Sequence, residues 1–400
     1  MNKQILMVMP VMKGGGAERV AALLMNEFHK CGHHAEFLLT SSTADEVVRR
    51  DLDDEIPLIL LQEQISNKVK IIDIWEKVVR LYASFFSRIF EKMKKPVPSH
   101  FAYLSFMSQY GKEVRQLRTL MKNNPNIIVI TFLQPSIPMV VLAARGLPNK
   151  IIISERGDPE RLMKKRYGKK FIEKYYDRVN AAVFQTPEAL ATYPACVSKN
   201  GVVISNPVKH DLPAVYHGKR NKNITTFCRI SRQKNLPMLI EAFALLHKEH
   251  PDYRLRIFGN ALNEDDRKVK EHIENQLKQL NLTDCVERLP FSATIHEEII
   301  YDAMYVNSSD YEGISNAMLE AMAIGMPVVC TDCPIGGAHA TIQNEVNGML
   351  VPVGDAKAMY LAMKKIVEDE SFAETLSHNA AKIRETLSLN NIAKKWMELL

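Results

Sequence analysis

The sequence predicts an α/β protein of two domains, each a parallel sheet with helices on both faces. Three observations predict it. Short apolar runs alternate with segments of helical period along the whole chain, the pattern of parallel strands buried on both faces. The alternation is interrupted at Asn206-Pro207 and then starts again. A length of 400 residues with a 46% hydrophobic fraction is enough for two cores.

In the first half, Gln4–Met9 reads as a strand. Lys13-Gly14-Gly15-Gly16-Ala17-Glu18-Arg19 follows as a glycine turn, then a helix with Val20, Leu23, Leu24 and Phe28 on one face. Glycines allow close backbone approach, and a helix start favours anions. Ala35–Thr40 is the next strand. Asp51-Leu52-Asp53 has the spacing of a metal-binding pair but reads as a solvated loop before the strand Pro57–Leu61.

Lys68–Met93 carries a helical apolar stripe (Ile71, Trp75, Val78, Tyr82, Phe85, Ile89, Met93) with Lys and Arg mostly off that face. Between Leu61 and Leu120 there are 11 Lys and Arg against 5 Asp and Glu, an excess equal to the +6 of the whole chain. Such a helix fits a membrane surface; it also fits packing on its own sheet. A helix over Tyr103–Met121 and a strand over Ile127–Thr131 follow. The strand Lys150–Ser154 runs into Ser154-Glu155-Arg156-Gly157-Asp158-Pro159, placing polar groups at a carboxyl edge. Arg156 suits an acceptor phosphate or a local salt bridge, with Asp158 beside it, and basic residues continue from Arg161 to Arg178. Ala181–Gln185 and Gly201–Ser205 complete the half.

In the second half, the strand Ile224–Cys228 leads into Arg229-Ile230-Ser231-Arg232-Gln233-Lys234-Asn235 and a helix. Arg229 can fork onto a diphosphate and Lys234 adds a point charge. Arg254–Gly259, Cys285–Arg288 and Met304–Asn307 continue the alternation. Then comes Asp310–Gly337, around which the chain is organised. Glu312 sits between a strand and a helix, Gly313 lets a ligand approach, and Ser315 or Asn316 caps the helix. Glu320 lies about one turn further in. Free amides there favour an anion while the carboxylates favour hydroxyls, so a nucleotide-sugar fits. The plain alternative is a loop charge and a helix-surface glutamate. Pro327–Cys330 and Val346–Val351 are the last strands.

The segment from Glu312 resembles the glutamate-x7-glutamate signature of retaining family 4 glycosyltransferases, EG…LEAMA.G.PVV…G. Gly14–Arg19 is similar to the family's GGAER turn. Arg229–Asn235 is similar to its G-R-x-x-x-Q-K-N segment, with Cys228 in place of the usual Gly. The resemblance implies a GT-B fold, two Rossmann-like domains facing a cleft. Residues 1–206 form the acceptor-side domain, 207–385 the nucleotide-sugar domain, and 386–400 a terminal helix expected to cross back. By the same resemblance Gly15 and Gly16 lie beside the donor diphosphate, which Arg229 and Lys234 neutralise. Glu312, Gly313, Ile314, Ser315 and Asn316 hold the sugar, Glu320 the ribose, and the segment with Pro290 the base. Glu312, Arg229 and Lys234 carry catalysis. Many members have a histidine near position 156; this chain has Arg156.

The expected function is retaining, metal-independent transfer from a nucleotide-sugar, a UDP-sugar, to a glycan acceptor, lipid-linked, in bacterial surface-polysaccharide or glycan biosynthesis. Neither cofactor nor nucleic-acid partner is expected. A nucleotide-sugar epimerase of the same fold, or an idle scaffold in a polysaccharide assembly complex, are the alternatives. No apolar run reaches about 18 residues, and MNKQILMVMPVM reads as a strand rather than a signal peptide. Six scattered cysteines suit a reducing cytosol. Cys330 and Cys333 lack a second pair for a metal site. The expected location is the cytoplasm, peripheral at the inner face of the membrane through residues 68–95.

Overall fold

A computed structural model describes residues 2–41, 47–49, 51–61, 81–82, 85–86, 89–90, 92–93, 97–165 and 167–400. It divides into two compact units, Met1–Ser205 with Ile392–Leu400, and Asn206–Asn391.

The first unit holds β1 (Gln4–Met9), β2 (His34–Leu39), β3 (Leu58–Leu60), β4 (Ile128–Phe132), β5 (Ile151–Ser154), β6 (Ala181–Phe184) and β7 (Gly201–Val203). These form one parallel sheet in the order β3-β2-β1-β4-β5-β6-β7. The second holds β8 (Asn223–Phe227), β9 (Arg254–Phe258), β10 (Val286–Leu289), β11 (Met304–Asn307), β12 (Val328–Thr331) and β13 (Met349–Val351). Their order is β10-β9-β8-β11-β12-β13, again parallel. The two-sheet α/β expectation is met, and Met304–Asn307 coincides to the residue.

Both orders reverse direction once, between β1 and β4 and between β8 and β11. Loops leaving the carboxyl ends there diverge and open a crevice. In the second unit, helix Leu236–Glu249 buries Leu239, Ile240, Phe243 and Leu246 on one face. Helix Asn316–Ala323 buries Met318, Leu319 and Met322 on the other. Each such side chain contributes about 1.5–3 kcal/mol.

At the opposite, amino-terminal edge, the fully buried Asp302 ties strands together. It accepts from Asn221 Nδ2 at 3.0 Å, Asn223 Nδ2 at 3.3 Å, Arg256 Nη1 at 3.0 Å and the Thr225 hydroxyl. Ser136–Ala143 forms a helix that periodicity does not announce, because all eight residues are buried. The helix expected over 68–93 lies for its larger part outside the described residues. Where it is described, Phe86 stacks on Phe101 at 5.2 Å while Leu81, Phe85 and Met93 are exposed.

Candidate active site

The chain leaves β8 through Cys228 to Ser231 and makes one 3-10 turn, Arg232–Lys234. Asn235 then turns left-handed, with φ 41°, a conformation asparagine tolerates better than most residues. Its side chain donates to Asp310 Oδ1 at 2.6 Å. The Asp310 amide donates to Gln233 O at 2.9 Å, and Ser308 Oγ to Lys234 O at 2.8 Å. The loop after β8 is thus stitched to the loop after β11, where the sheet reverses.

That stitching brings Lys234 onto Glu312 as an ion pair, with side chains only 18% and 14% exposed. Gln233 Nε2 donates to Glu312 Oε2 at 3.0 Å and to Tyr311 O at 2.9 Å. Burial pulls the Lys234 ammonium down, but the Glu312 carboxylate outweighs it and leaves the pKa above the ordinary lysine value. A charged ammonium is therefore held on Glu312 in the loop after β8, where the sheet order reverses.

Gly313 is pressed against Gly337, on which a Cβ would sit 1.5 Å from Gly313 O. No rotamer relieves a clash with backbone, so Gly337→Ala must displace the loop after Glu312. We expect UDP binding at least about tenfold weaker, measured by calorimetry beside a melting curve. Unchanged affinity in a folded variant would detach this loop from the donor.

Ser315 caps the next helix, its hydroxyl accepting from Met318 N at 3.3 Å, and Asn316 is the first helical residue. Asn206 Nδ2 donates to Asn316 Oδ1 at 2.7 Å and to Ile314 O at 3.3 Å. The helix start is thereby tied to the segment that opens the second unit. Glu320, 3% exposed, lies one turn in and meets His296 Nε2 at 2.9 Å. His296 sits on the short helix Ile295–Ile299, and sequence reasoning missed it.

The other expected donor groups have partners of their own. Arg229 forks onto Asp266, Nε to Oδ2 at 2.9 Å and Nη2 to Oδ1 at 3.3 Å. Asp266, 3% exposed, also accepts from Leu262 N at 3.1 Å. Pro290 follows β10 and is exposed. In the first unit, Gly15 N donates to Glu18 Oε2 at 2.8 Å and Lys13 N to the same oxygen at 2.6 Å. The Glu18 carboxylate thus takes up turn amides expected to face a phosphate. Gly16 opens the helix Gly16–Lys30.

Arg156 is buried with its guanidinium 4.4 Å from the Phe132 ring centroid and 5.7 Å from that of Trp396. Burial lowers its pKa from the usual arginine value. Glu155 accepts from the amides of Arg156 and Gly157 and from the Tyr193 hydroxyl. Asp158 caps helix Pro159–Met163, accepting from Arg161 N at 3.2 Å.

Two possible metal motifs have other physical accounts. Cys333 Sγ donates to Ser309 O at 3.3 Å, and burial pushes its thiol up to about 11; Cys330 is raised too. Among the described residues, Glu249, His250 and Glu368 bring ligand atoms within 4.8 Å, and Lys364 already pairs with both glutamates.

Residues 213–383, which span the Lys234–Glu312 cluster, match the family described as glycosyl transferases group 1. That stretch, 171 of the 400 residues, is what the chain shares with the family. The poly(glycerol-phosphate) alpha-glucosyltransferase of Bacillus subtilis is 27% identical over 58% of this chain and 34% of its own length. A Campylobacter jejuni alpha-1,4-N-acetyl-D-galactosaminyltransferase is 20% identical over 99% of this chain and 98% of its own. The chain spans 18%, 34% and 49% of the length of three of the curated relatives that it matches, the Bacillus enzyme among them. Among solved structures, Anabaena HepE in complex with UDP matches with a TM-score of 0.76 at 17% identity, over 99% of this chain and 98% of that one. The fold is GT-B, and the residues that match the family model lie within the second sheet unit.

Proposed function

We propose that the protein is a retaining, metal-independent glycosyltransferase that moves a sugar from a UDP-sugar to a lipid-linked glycan in bacterial surface-polysaccharide or glycan assembly. The observation that carries this reading is the Lys234–Glu312–Gln233 cluster set against the start of helix Asn316–Ala323. During transfer the bond from sugar C1 to the diphosphate oxygen breaks and one to the acceptor oxygen forms. Negative charge grows on the leaving diphosphate, and Lys234, with Arg229, stabilises it. Preorganised donors of this kind lower the barrier without a protein base. Glu312 and the amides of Gly313 to Asn316 hold the sugar, Glu320 the ribose, and the Pro290 segment the base. Arg156, held over the Phe132 ring, serves an acceptor phosphate.

HepE is described with UDP, and the Campylobacter relative is named for a PP-undecaprenol-linked glycan. Both support the donor and acceptor classes. The test is incubation with labelled UDP-sugars and membrane extract. Label should enter the lipid fraction, with retained anomeric configuration and little effect of chelator. Loss of transfer in chelator, restored by magnesium or manganese, would overturn the metal-independent route.

No helix among the described residues is long and apolar enough to cross a membrane. Peripheral binding at the inner face remains part of the proposal. Leu81, Tyr82, Phe85 and Met93 are 73%, 52%, 62% and 54% exposed, beside exposed Lys92. Each basic residue near an anionic bilayer adds about 1 kcal/mol, weakened by salt. The protein should bind anionic liposomes at low salt, and changing Lys92, Lys94 and Lys95 together to Glu should reduce that binding. Equal binding after the triple change removes this segment as an anchor.

A further inference from the structure

We infer that His296 is a positioning residue for donor recognition: it fixes the Glu320 carboxylate in the orientation that receives the ribose hydroxyls of a nucleoside diphosphate. The inference rests on the reading of Glu320 as the ribose ligand. His296 and Glu320 are 8% and 3% exposed, and their Nε2 and Oε2 atoms are 2.9 Å apart. With the carboxylate accepting, Nε2 carries the hydrogen. The imidazole is itself held: Phe227 meets it edge-on, at 5.8 Å and 87°, and Tyr305 backs Phe227 at 5.0 Å.

A glutamate has three side-chain torsions to fix. Tying Oε2 to a packed ring sets the plane of the carboxylate and therefore the direction in which Oε1 presents its lone pairs. A pair needed only to hold the two helices together has a cheaper solution. Burying a carboxylate with an imidazole costs desolvation that apolar residues of the same volume do not. The surrounding helix Asn316–Ala323 is otherwise packed by Met318, Leu319 and Met322. Retaining a buried charge-bearing pair one turn into a helix whose start receives an anion makes sense when that carboxylate has a ligand to orient.

The experiment is calorimetry with UDP, ADP and GDP and their 2′,3′-dideoxy analogues on the full chain. Wild type, H296L, H296M, H296Q and E320L are compared, each with a melting curve. Wild type should prefer the ribose form by about tenfold or more, the worth of a hydrogen bond to a charged group. H296L and H296M should lose most of that preference while binding the dideoxy ligand as before. H296Q should keep much of it, because its amide can replace the Nε2–H. Apolar variants that melt lower yet keep the ribose preference overturn the inference and leave His296 a structural residue. If E320L also keeps the preference, the reading of Glu320 fails. If wild type binds none of the three nucleotides, the nucleotide-sugar reading itself fails. Should both apolar variants fail to fold, H296A takes their place: a folded H296A that loses the preference while H296Q keeps it supports the inference, and a folded H296A that keeps it overturns the inference.

Discussion

Lys234→Ala and Glu312→Ala should each lower turnover at least about a hundredfold at saturating donor, the usual cost of removing one preorganised electrostatic group at a charge-developing centre. The pair is also a buried ion pair, so either single change leaves an uncompensated charge and destabilises the fold by about 3–5 kcal/mol. Stability and catalysis must therefore be separated. The double variant Lys234→Met with Glu312→Leu removes both charges and keeps the volume. Its urea midpoint should return toward wild type while its turnover stays low. Full activity in either single variant removes the pair from the reaction. The pH dependence has a definite sign. Because the folded Lys234 pKa lies above its unfolded value, the pair's stabilisation is fully present below about pH 10 and is lost as pH rises through the raised value. The stability difference between wild type and Lys234→Met should be flat from neutrality to that point and shrink beyond it.

Asp302→Ala has the largest effect expected on stability alone, about 3–5 kcal/mol. Asp302 is completely buried, and its removal strands the side-chain amides of Asn221 and Asn223 and leaves Arg256, 15% exposed, with only Glu298 O at 3.2 Å and Glu287 at 3.7 Å. Set against a typical total of about 5–15 kcal/mol, that is a third or more. Asp302→Asn keeps the shape and part of the bonding, so it should fall between the two. Both variants should retain wild-type turnover per folded molecule, since Asp302 lies at the edge of the sheet away from Lys234 and Glu312. A shift of less than about 1 kcal/mol in urea for the alanine variant would show that this network is not what ties β8, β9 and β11.

The strands were legible because burial on both faces removes polar residues from them, and Val328–Thr331 or Gln4–Met9 reads as such without any partner in view. Glu312, Gly313 and Ser315 were legible for a local reason too: they lie where a strand stops and a helix starts. What a linear reading lacks is pairing across distance. Glu320 meets His296 24 positions away, and Arg229 meets Asp266 37 positions away. In the sequence, His296 is one histidine in Ile-His-Glu-Glu-Ile and Asp266 one carboxylate in a run of acids, and nothing nearby marks either. Glu18 is the converse: three residues after a glycine it has the position of a helix-capping carboxylate, and that capping signal was there to be read before any phosphate was assigned to the same amides.

During synthesis the first unit waits. Its strands β1 to β7 leave the ribosome early, but Trp396, which is fully buried against Phe132 at 5.6 Å, emerges only after all of Asn206–Asn391 has been translated. Until then Phe132 and Arg156 stand without the Trp396 cover, while the second unit already has its whole sequence in hand. The amino-terminal domain, usually the first to close, thus keeps this apolar face open while Asn206–Asn391 is made, and exposed apolar surface of that kind is where aggregation begins.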